Sequence, residues 1–169
     1  INLLQAAILA LLYTDDVFTA YVFIEICTLA STGILMIRQV GRTTVAAVRY
    51  LIFNLLGSGL FLIGIIILYD ITGHLLIPNI AESVTNLVAN GEYPVPLLIS
   101  ASLITLGLAV KSGLFPFCYW MPDTYGYATT ASSSIISGIV SKIYIFTSIK
   151  MLYRVMGASY ATQSHITDV

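Results

Sequence analysis

Five apolar runs divide the chain, at about residues 1–13, 17–37, 46–69, 97–120 and 130–152, parted by short polar breaks and one longer one. A hydrocarbon core about 30 Å thick takes roughly 20 apolar residues per helix. The pattern therefore predicts an all-α polytopic membrane protein with about five transmembrane helices. The first run is short for a span and opens at Ile1 without the basic flank and small-residue cleavage site of a signal peptide. It reads as a truncated helix of a longer protein. In the longer break, Ile80, Val84, Leu87 and Val88 fall at helical spacing behind Asn79 and Glu82, a pair with capping-box form. A short amphipathic helix over about 80–89 is expected there, lying on the membrane surface or on a neighbour and closed by Gly91. The membrane domain so defined covers 1–156, and 157–169, with His165 and Asp168, reads as a polar tail.

The exceptions to the apolar pattern carry most of the information. Asp15 and Asp16 precede an apolar run, where a short acidic side chain caps a helix by accepting from orphan backbone N–H groups. Glu25 lies about 12 Å along the second run at 1.5 Å per residue. So near mid-membrane a carboxylate must face a polar cavity, meet a cation or take up a proton; a structural helix-to-helix salt bridge would hold it as well. Arg38, Arg42 and Arg49 cluster around the next turn, which the positive-inside tendency assigns to the cytoplasmic side. Asn54 reads as an interhelical hydrogen bond, and Gly57, Ser58, Gly59 and Gly64 as surfaces for close helix packing. His74 stands alone in the long break without metal-ligand spacing and reads as solvated.

Two lysines are harder to place. Lys111 falls about 21 Å along the fourth run and Lys142 about 15 Å along the fifth, where a charge costs roughly 2.5–3.5 kcal/mol on insertion scales. Lys150 and Arg154 end the fifth run and can snorkel to an interface, which Lys142 is too deep to do. Gly113, Pro116 and Pro122 follow Lys111 closely, and proline removes an N–H and clashes with the preceding turn. The fourth span is expected to break between Gly113 and Pro122. Broken helices are tolerated in membranes only where protein or water satisfies the freed backbone groups.

Composition narrows the function classes. Apolar residues make up 58% of the chain and charged ones 9%, with a mean hydropathy of +0.94, which leaves no room for a soluble domain. A net charge of −1 argues against nucleic acid as a partner. Cys27 and Cys118 are too few for the four thiolates of an iron–sulfur cluster and form no CxxC pair. No cofactor is expected in this chain, and redox chemistry would belong to another. Cys27 reads as a small packed thiol.

The run Lys111-Ser-Gly-Leu-Phe-Pro-Phe-Cys-Tyr-Trp-Met-Pro-Asp123, with Lys142 thirty-one positions after Lys111, resembles the core motif of the antiporter-like subunits. These occur in respiratory complex I, membrane-bound hydrogenases and Mrp-type cation/proton antiporters. The stretch Tyr21-Val-Phe-Ile-Glu25-Ile-Cys-Thr-Leu-Ala-Ser31 is similar to the family helix that carries an essential glutamate. The resemblance implies a core of two inverted five-helix repeats, of which this chain matches the first. It implies proton-transfer roles for Glu25, Lys111 and Lys142, supported at the helix break by Gly113, Pro116, Pro122 and Asp123. Glu25 and Lys111 would pair across two spans, and Lys142, without a carboxylate of its own, would accept the proton and pass it on. Two departures stand out: Cys118 where many relatives have histidine, and Thr130-Ala131 where they have a proline. A thiol is a poorer relay than imidazole, so a mechanism through that histidine would not operate here.

The function implied is that of a proton-translocating membrane subunit of a redox-driven complex, in a bacterial or archaeal cytoplasmic membrane rather than an organelle. Its partners would be other membrane subunits, the lipid bilayer, and protons or Na+. A Mrp-type Na+/H+ antiporter component would use the same residues without electron transfer. A purely structural membrane subunit is the third reading.

Overall fold

The computed structural model describes residues 1–38, 41–91 and 93–155; the expected tail over 157–169 lies outside them. Every extended element among them is helical: α1 (Asn2–Tyr13), α2 (Val17–Leu35), α3 (Gly41–Thr72), α4 (Ile77–Asn90), α5 (Pro94–Ser112), α6 (Met121–Tyr127) and α7 (Thr130–Arg154). Of these, α2, α3, α5 and α7 are long and apolar enough to cross a membrane, and α1 is a shorter apolar helix.

Local chemistry sets the boundaries. Asp16 caps α2, its Oδ1 accepting from the Thr19 N–H at 2.6 Å. The turn from α1 is tied to the start of α4 by backbone bonds from Val17 N to Leu75 O (3.0 Å) and from Ile77 N to Asp15 O (2.8 Å). Helix α3 extends beyond the apolar run at 46–69 to Gly41 and Thr72. Arg42 and Asp70 end what lipid tolerates, but neither interrupts the backbone ladder, so the helix continues past the hydrocarbon. Helix α4 starts ahead of the expected capping box because Pro78 occupies its first turn, where a missing N–H costs nothing. Ile77, Ile80 and Val84 face inward, and Gly91, at φ 69°, closes the helix.

The largest interface joins α3 to α5, and small residues make it possible. A Cβ on Gly107 would lie 2.6 Å from Gly57 O and 2.7 Å from Phe61 N, so the two backbones touch. One helical stretch further, Ser100 Oγ donates to Gly64 O at 2.8 Å, where a Cβ on Gly64 would meet Ile104 Cγ1 at 2.8 Å. Dispersion and close packing drive such crossings in lipid, where no water is expelled. Gly59 plays no such part, with nothing within 4 Å of a Cβ built there. Helix α2 packs on α3 and α1, and α7 on α5. Large apolar side chains such as Leu29, Ile52, Leu56, Ile66, Leu98 and Ile149 face outward, as a lipid-facing surface requires.

Candidate functional site

The site is built around the place where α5 stops. Gly113 takes the left-handed conformation, φ 70°, and the chain closes on itself: Leu114 N donates to Ala109 O (3.0 Å) and Gly113 N to Val110 O (3.3 Å). This is the Schellman arrangement, which satisfies carbonyls that a helix end leaves open. Ser112 Oγ adds a second donor to Ala109 O, and Trp120 Nε1 a second donor to Val110 O at 3.2 Å. The chain then passes the cis Phe115–Pro116 peptide and a 3-10 turn at Cys118–Trp120, and enters α6 with Pro122 in its first turn. Proline and glycine thus break the span while the Ala109 and Val110 carbonyls keep their donors.

Lys111 lies in the last turn of α5, where the negative end of the helix dipole favours a cation. Its side chain is fully buried, and its stem packs against Gly57, whose missing Cβ leaves the space: a Cβ there would meet Lys111 Cγ at 3.1 Å. Lys111 Nζ donates to Glu25 Oε1 at 3.3 Å and to Thr28 Oγ1 at 2.8 Å, both from α2. It also lies 5.5 Å from the centroid of the Tyr144 ring, close enough for a cation–π attraction. The Glu25 side chain is 20% exposed, against 0% for Lys111. The pair therefore has one wholly buried member and one at the edge of the bundle.

Around this pair lies a group of buried hydroxyls. Thr28 Oγ1 is 3.3 Å from Tyr144 OH and 3.0 Å from Ile24 O. The Tyr50 hydroxyl lies beside those of Ser31 and Tyr144, though among the described residues Tyr50 OH and Ser31 Oγ reach close hydrogen-bond geometry with no group. Further out, Tyr125 OH and Ser141 Oγ are 3.2 Å apart. The Trp120 ring connects the two groups, packing edge-on to Tyr50 (5.2 Å) and Tyr125 (6.3 Å).

Lys142 is elsewhere. It is exposed, and among the described residues it makes no hydrogen bond or ion pair. Two residues along a helix turn the side chain by about 200°, so Lys142 faces away from the buried Tyr144. The π turn at Ile136–Val140 precedes it. Asp123 pairs with Arg49, beside a cleft of about 450 Å³ that Arg42 and Tyr127 also line. Cys118 is exposed. Lys150 Nζ donates to Leu12 O (3.2 Å) and Thr14 O (2.5 Å), capping α1, with Asp15 4.0 Å from Lys150 and 3.7 Å from Arg154. Asn54 does not bridge helices as expected: its Nδ2 donates to Tyr50 O on its own helix (2.9 Å), and among the described residues its Oδ1 has no partner.

Sequence reasoning missed Thr28, Ser31, Tyr50 and Tyr144. A signal was present, since Thr28 and Ser31 lie one turn apart, as do Ser141, Tyr144 and Thr147. Hydroxyls repeating at helical spacing inside an apolar run mark an inward face.

Comparison with known proteins bears on the fold and the family. The family described as NADH:quinone oxidoreductase/Mrp antiporter, TM, matches residues 14–167. The chain is 32% identical over 157 residues to NADH-quinone oxidoreductase subunit N of Desulforudis audaxviator, covering 93% of this chain and 30% of that protein. It is 27% identical over 146 residues to a Na+/H+ antiporter subunit of Bacillus subtilis, covering 86% of this chain and 29% of that protein. A chain of the membrane-bound sulfane sulfur reductase, an archaeal respiratory membrane complex, superposes with a TM-score of 0.84 at 27% identity, over 98% of this chain and 33% of that one. This chain thus spans about a third of the length of these proteins. The four spans and the bacterial relatives identify an integral protein of the cytoplasmic membrane.

Proposed function

The chain belongs to the NADH:quinone oxidoreductase/Mrp antiporter transmembrane family, and from that premise we propose that it forms part of a proton-translocating subunit of a redox-driven membrane complex. The observation that carries the proposal is Lys111, fully buried in the last turn of an interrupted span and held by Glu25 from another helix at 3.3 Å. A carboxylate this close sets how tightly the ammonium keeps its proton. Movement of Glu25 away from Lys111 loosens the proton, and its return captures one. The chemistry is charge-controlled proton transfer without a covalent intermediate.

Lys142 is the next station in this reading. Its head lies on an outward face of α7, and leaving it in lipid would cost roughly 2.5–3.5 kcal/mol. That cost supports a place for Lys142 against protein or water in the assembled subunit. Other membrane subunits and the bilayer are the partners, protons are what is moved, and redox chemistry belongs to another chain.

The test uses the intact complex in inverted membranes, with a pH-sensitive dye. Lys111→Ala and Glu25→Gln are expected to abolish translocation while assembly stays largely normal. Full pumping in both variants would defeat the proposal. Lys142→Ala is expected to stop transfer, and Lys142→Arg not to restore it, because a guanidinium keeps its proton.

Likeness to the Na+/H+ antiporter protein of Bacillus subtilis favours a second reading: a Mrp-type component that exchanges Na+ for protons without electron transfer. A quinone-reducing or hydrogenase module that copurifies with the chain would decide for the first. Proton movement driven by a Na+ gradient alone would decide for the second.

A further inference from the structure

We infer that one side of α3 holds a phospholipid with an anionic headgroup, its phosphate at Arg42 and Arg49 and one acyl chain in the groove beyond them. The inference does not depend on the reading of Lys111.

Three observations carry it. The first is that a charged cleft and an apolar groove lie in one row. Arg42, Arg49, Ile52, Leu56, Gly59 and Ile63 follow one another at three, four or seven residues and are all exposed, so they share one side of α3. Arg42, Arg49 and Asp123 line the cleft of about 450 Å³. One turn further, a groove of about 650 Å³ begins at Ile52 and Phe53 and runs to Ile63, with Val110 and Phe117 on its other wall. Only apolar side chains and Gly59 line it. Nothing lies within 4 Å of a Cβ built on Gly59, so an acyl chain can lie against the α3 backbone there.

The second is charge. Asp123 pairs with Arg49, while Arg42 has no ion-pair partner among the described residues. The cleft therefore has one positive charge in excess, which matches one phosphate. Basic pockets between membrane helices on the cytoplasmic side hold anionic headgroups, and the positive-inside tendency assigns this arginine-bearing turn to that side. Two exposed tyrosines flank the headgroup end, Tyr127 in the cleft and Tyr119 against the Phe53 ring at 6.5 Å, as tyrosines at membrane interfaces do.

The third is length. From Ile52 to Ile63 the groove measures about 16 Å at 1.5 Å per residue, close to half of a hydrocarbon core about 30 Å thick. A helix from another subunit would need contact through both leaflets. An acyl chain that hangs from a headgroup at Arg49 ends near mid-membrane, where the groove ends.

The test uses the intact complex in phosphatidylcholine vesicles, with a phosphatidylglycerol probe that carries a photoreactive diazirine in its acyl chain. On irradiation it is expected to label residues 52–63 and Phe117, and more strongly than a phosphatidylcholine probe with the same chain. Arg42→Gln should lower labelling by phosphatidylglycerol about fivefold, the scale of one arginine beside an anionic surface, and Arg42→Lys should recover it. Gly59→Phe fills the groove from an open face and should remove labelling by both probes. Added salt, which alters no side chain, should weaken the phosphatidylglycerol preference of the wild-type complex. Equal labelling by the two probes, or a preference that neither Arg42→Gln nor salt reduces, overturns the site and leaves ordinary bilayer contact. Absence of label at residues 52–63 in the intact complex overturns it too, because another membrane subunit then covers this side of α3.

Discussion

Lys111 and Lys142 are the same residue type in neighbouring spans, and the fold treats them oppositely. Lys111 is enclosed on every side by a carboxylate, a hydroxyl, an aromatic ring and the gap left by Gly57. Lys142 stands on an outward face with none of these. A charge inside a membrane protein is stabilised by what touches it, and depth along a helix says nothing of that. For Lys111 the stabilising groups come from α2, α3 and α7. For Lys142 none comes from the described residues.

The sharpest way to break this contrast is to exchange each lysine for arginine. Lys111 has no room for a larger head, and a guanidinium would hold its proton. Lys111→Arg should therefore lower the yield of assembled protein and cut translocation by about 100-fold or more, within the range that a positioned proton donor contributes. Lys142→Arg should assemble at the normal level and still fail to translocate. Native gels and a proton-sensitive dye read the two effects separately. Poor assembly in Lys142→Arg with normal assembly in Lys111→Arg would reverse the comparison.

The next largest effect tests what holds the Lys111 enclosure open. A Cβ on Gly107 would press on backbone atoms of Gly57 and Phe61, which unlike a flexible side chain cannot swing aside. Gly107→Ala is expected to destabilise the protein by about 1–3 kcal/mol, as overpacking does, and to impair translocation, because Lys111 sits one turn away on the same helix. Thermal unfolding in detergent measures the first. An unshifted transition would mean that α3 and α5 do not cross as closely as described.

How much of this was legible in the sequence follows from the solvent. The apolar runs reveal α2, α3, α5 and α7 because lipid demands them, and Gly113 with Pro116 reveals where α5 must stop because backbone geometry demands that. Orientation about each helix axis is another matter. In water the apolar face turns inward, but in a membrane both faces are apolar, so the apolar pattern does not show that Tyr144 points in and Lys142 out; only the helical spacing of Ser141, Tyr144 and Thr147 carries that signal. Asn54 escapes sequence reasoning for a related reason: an amide in a span can donate to a carbonyl of its own helix, as its bond to Tyr50 O shows. The position of α4 is blurred by two competing start signals, and Pro78 prevails over the capping box at Asn79.

Arg49 and Asp123 offer a smaller test of the same principle. This pair too joins two helices, but its side chains are 46% and 34% exposed, against 0% and 20% for Lys111 and Glu25. Exposed pairs contribute at most about 1 kcal/mol, and salt screens them further. Arg49→Gln should shift thermal unfolding only slightly at low salt and less at high salt. A loss comparable to that of Gly107→Ala would show that this end of the bundle is drier than the exposures imply.

The smallest effect is expected at Gly59, and its size is what makes it informative. Gly57 and Gly59 are two residues apart on α3 and so face opposite ways. A Cβ at Gly57 meets Gly107 O at 2.8 Å and Lys111 Cγ at 3.1 Å, whereas one at Gly59 meets nothing within 4 Å. Glycine within a helix is about 0.5–1 kcal/mol less favourable than alanine because it gives up more backbone freedom on folding. Gly59→Ala should therefore be neutral or slightly stabilising and leave translocation unchanged, while Gly57→Ala lowers both. A cost at Gly59 matching that at Gly57 would mean that the outward face of α3 is packed against protein as tightly as the inward one. The contrast between an enclosed Lys111 and an open outer surface would then fail for α3.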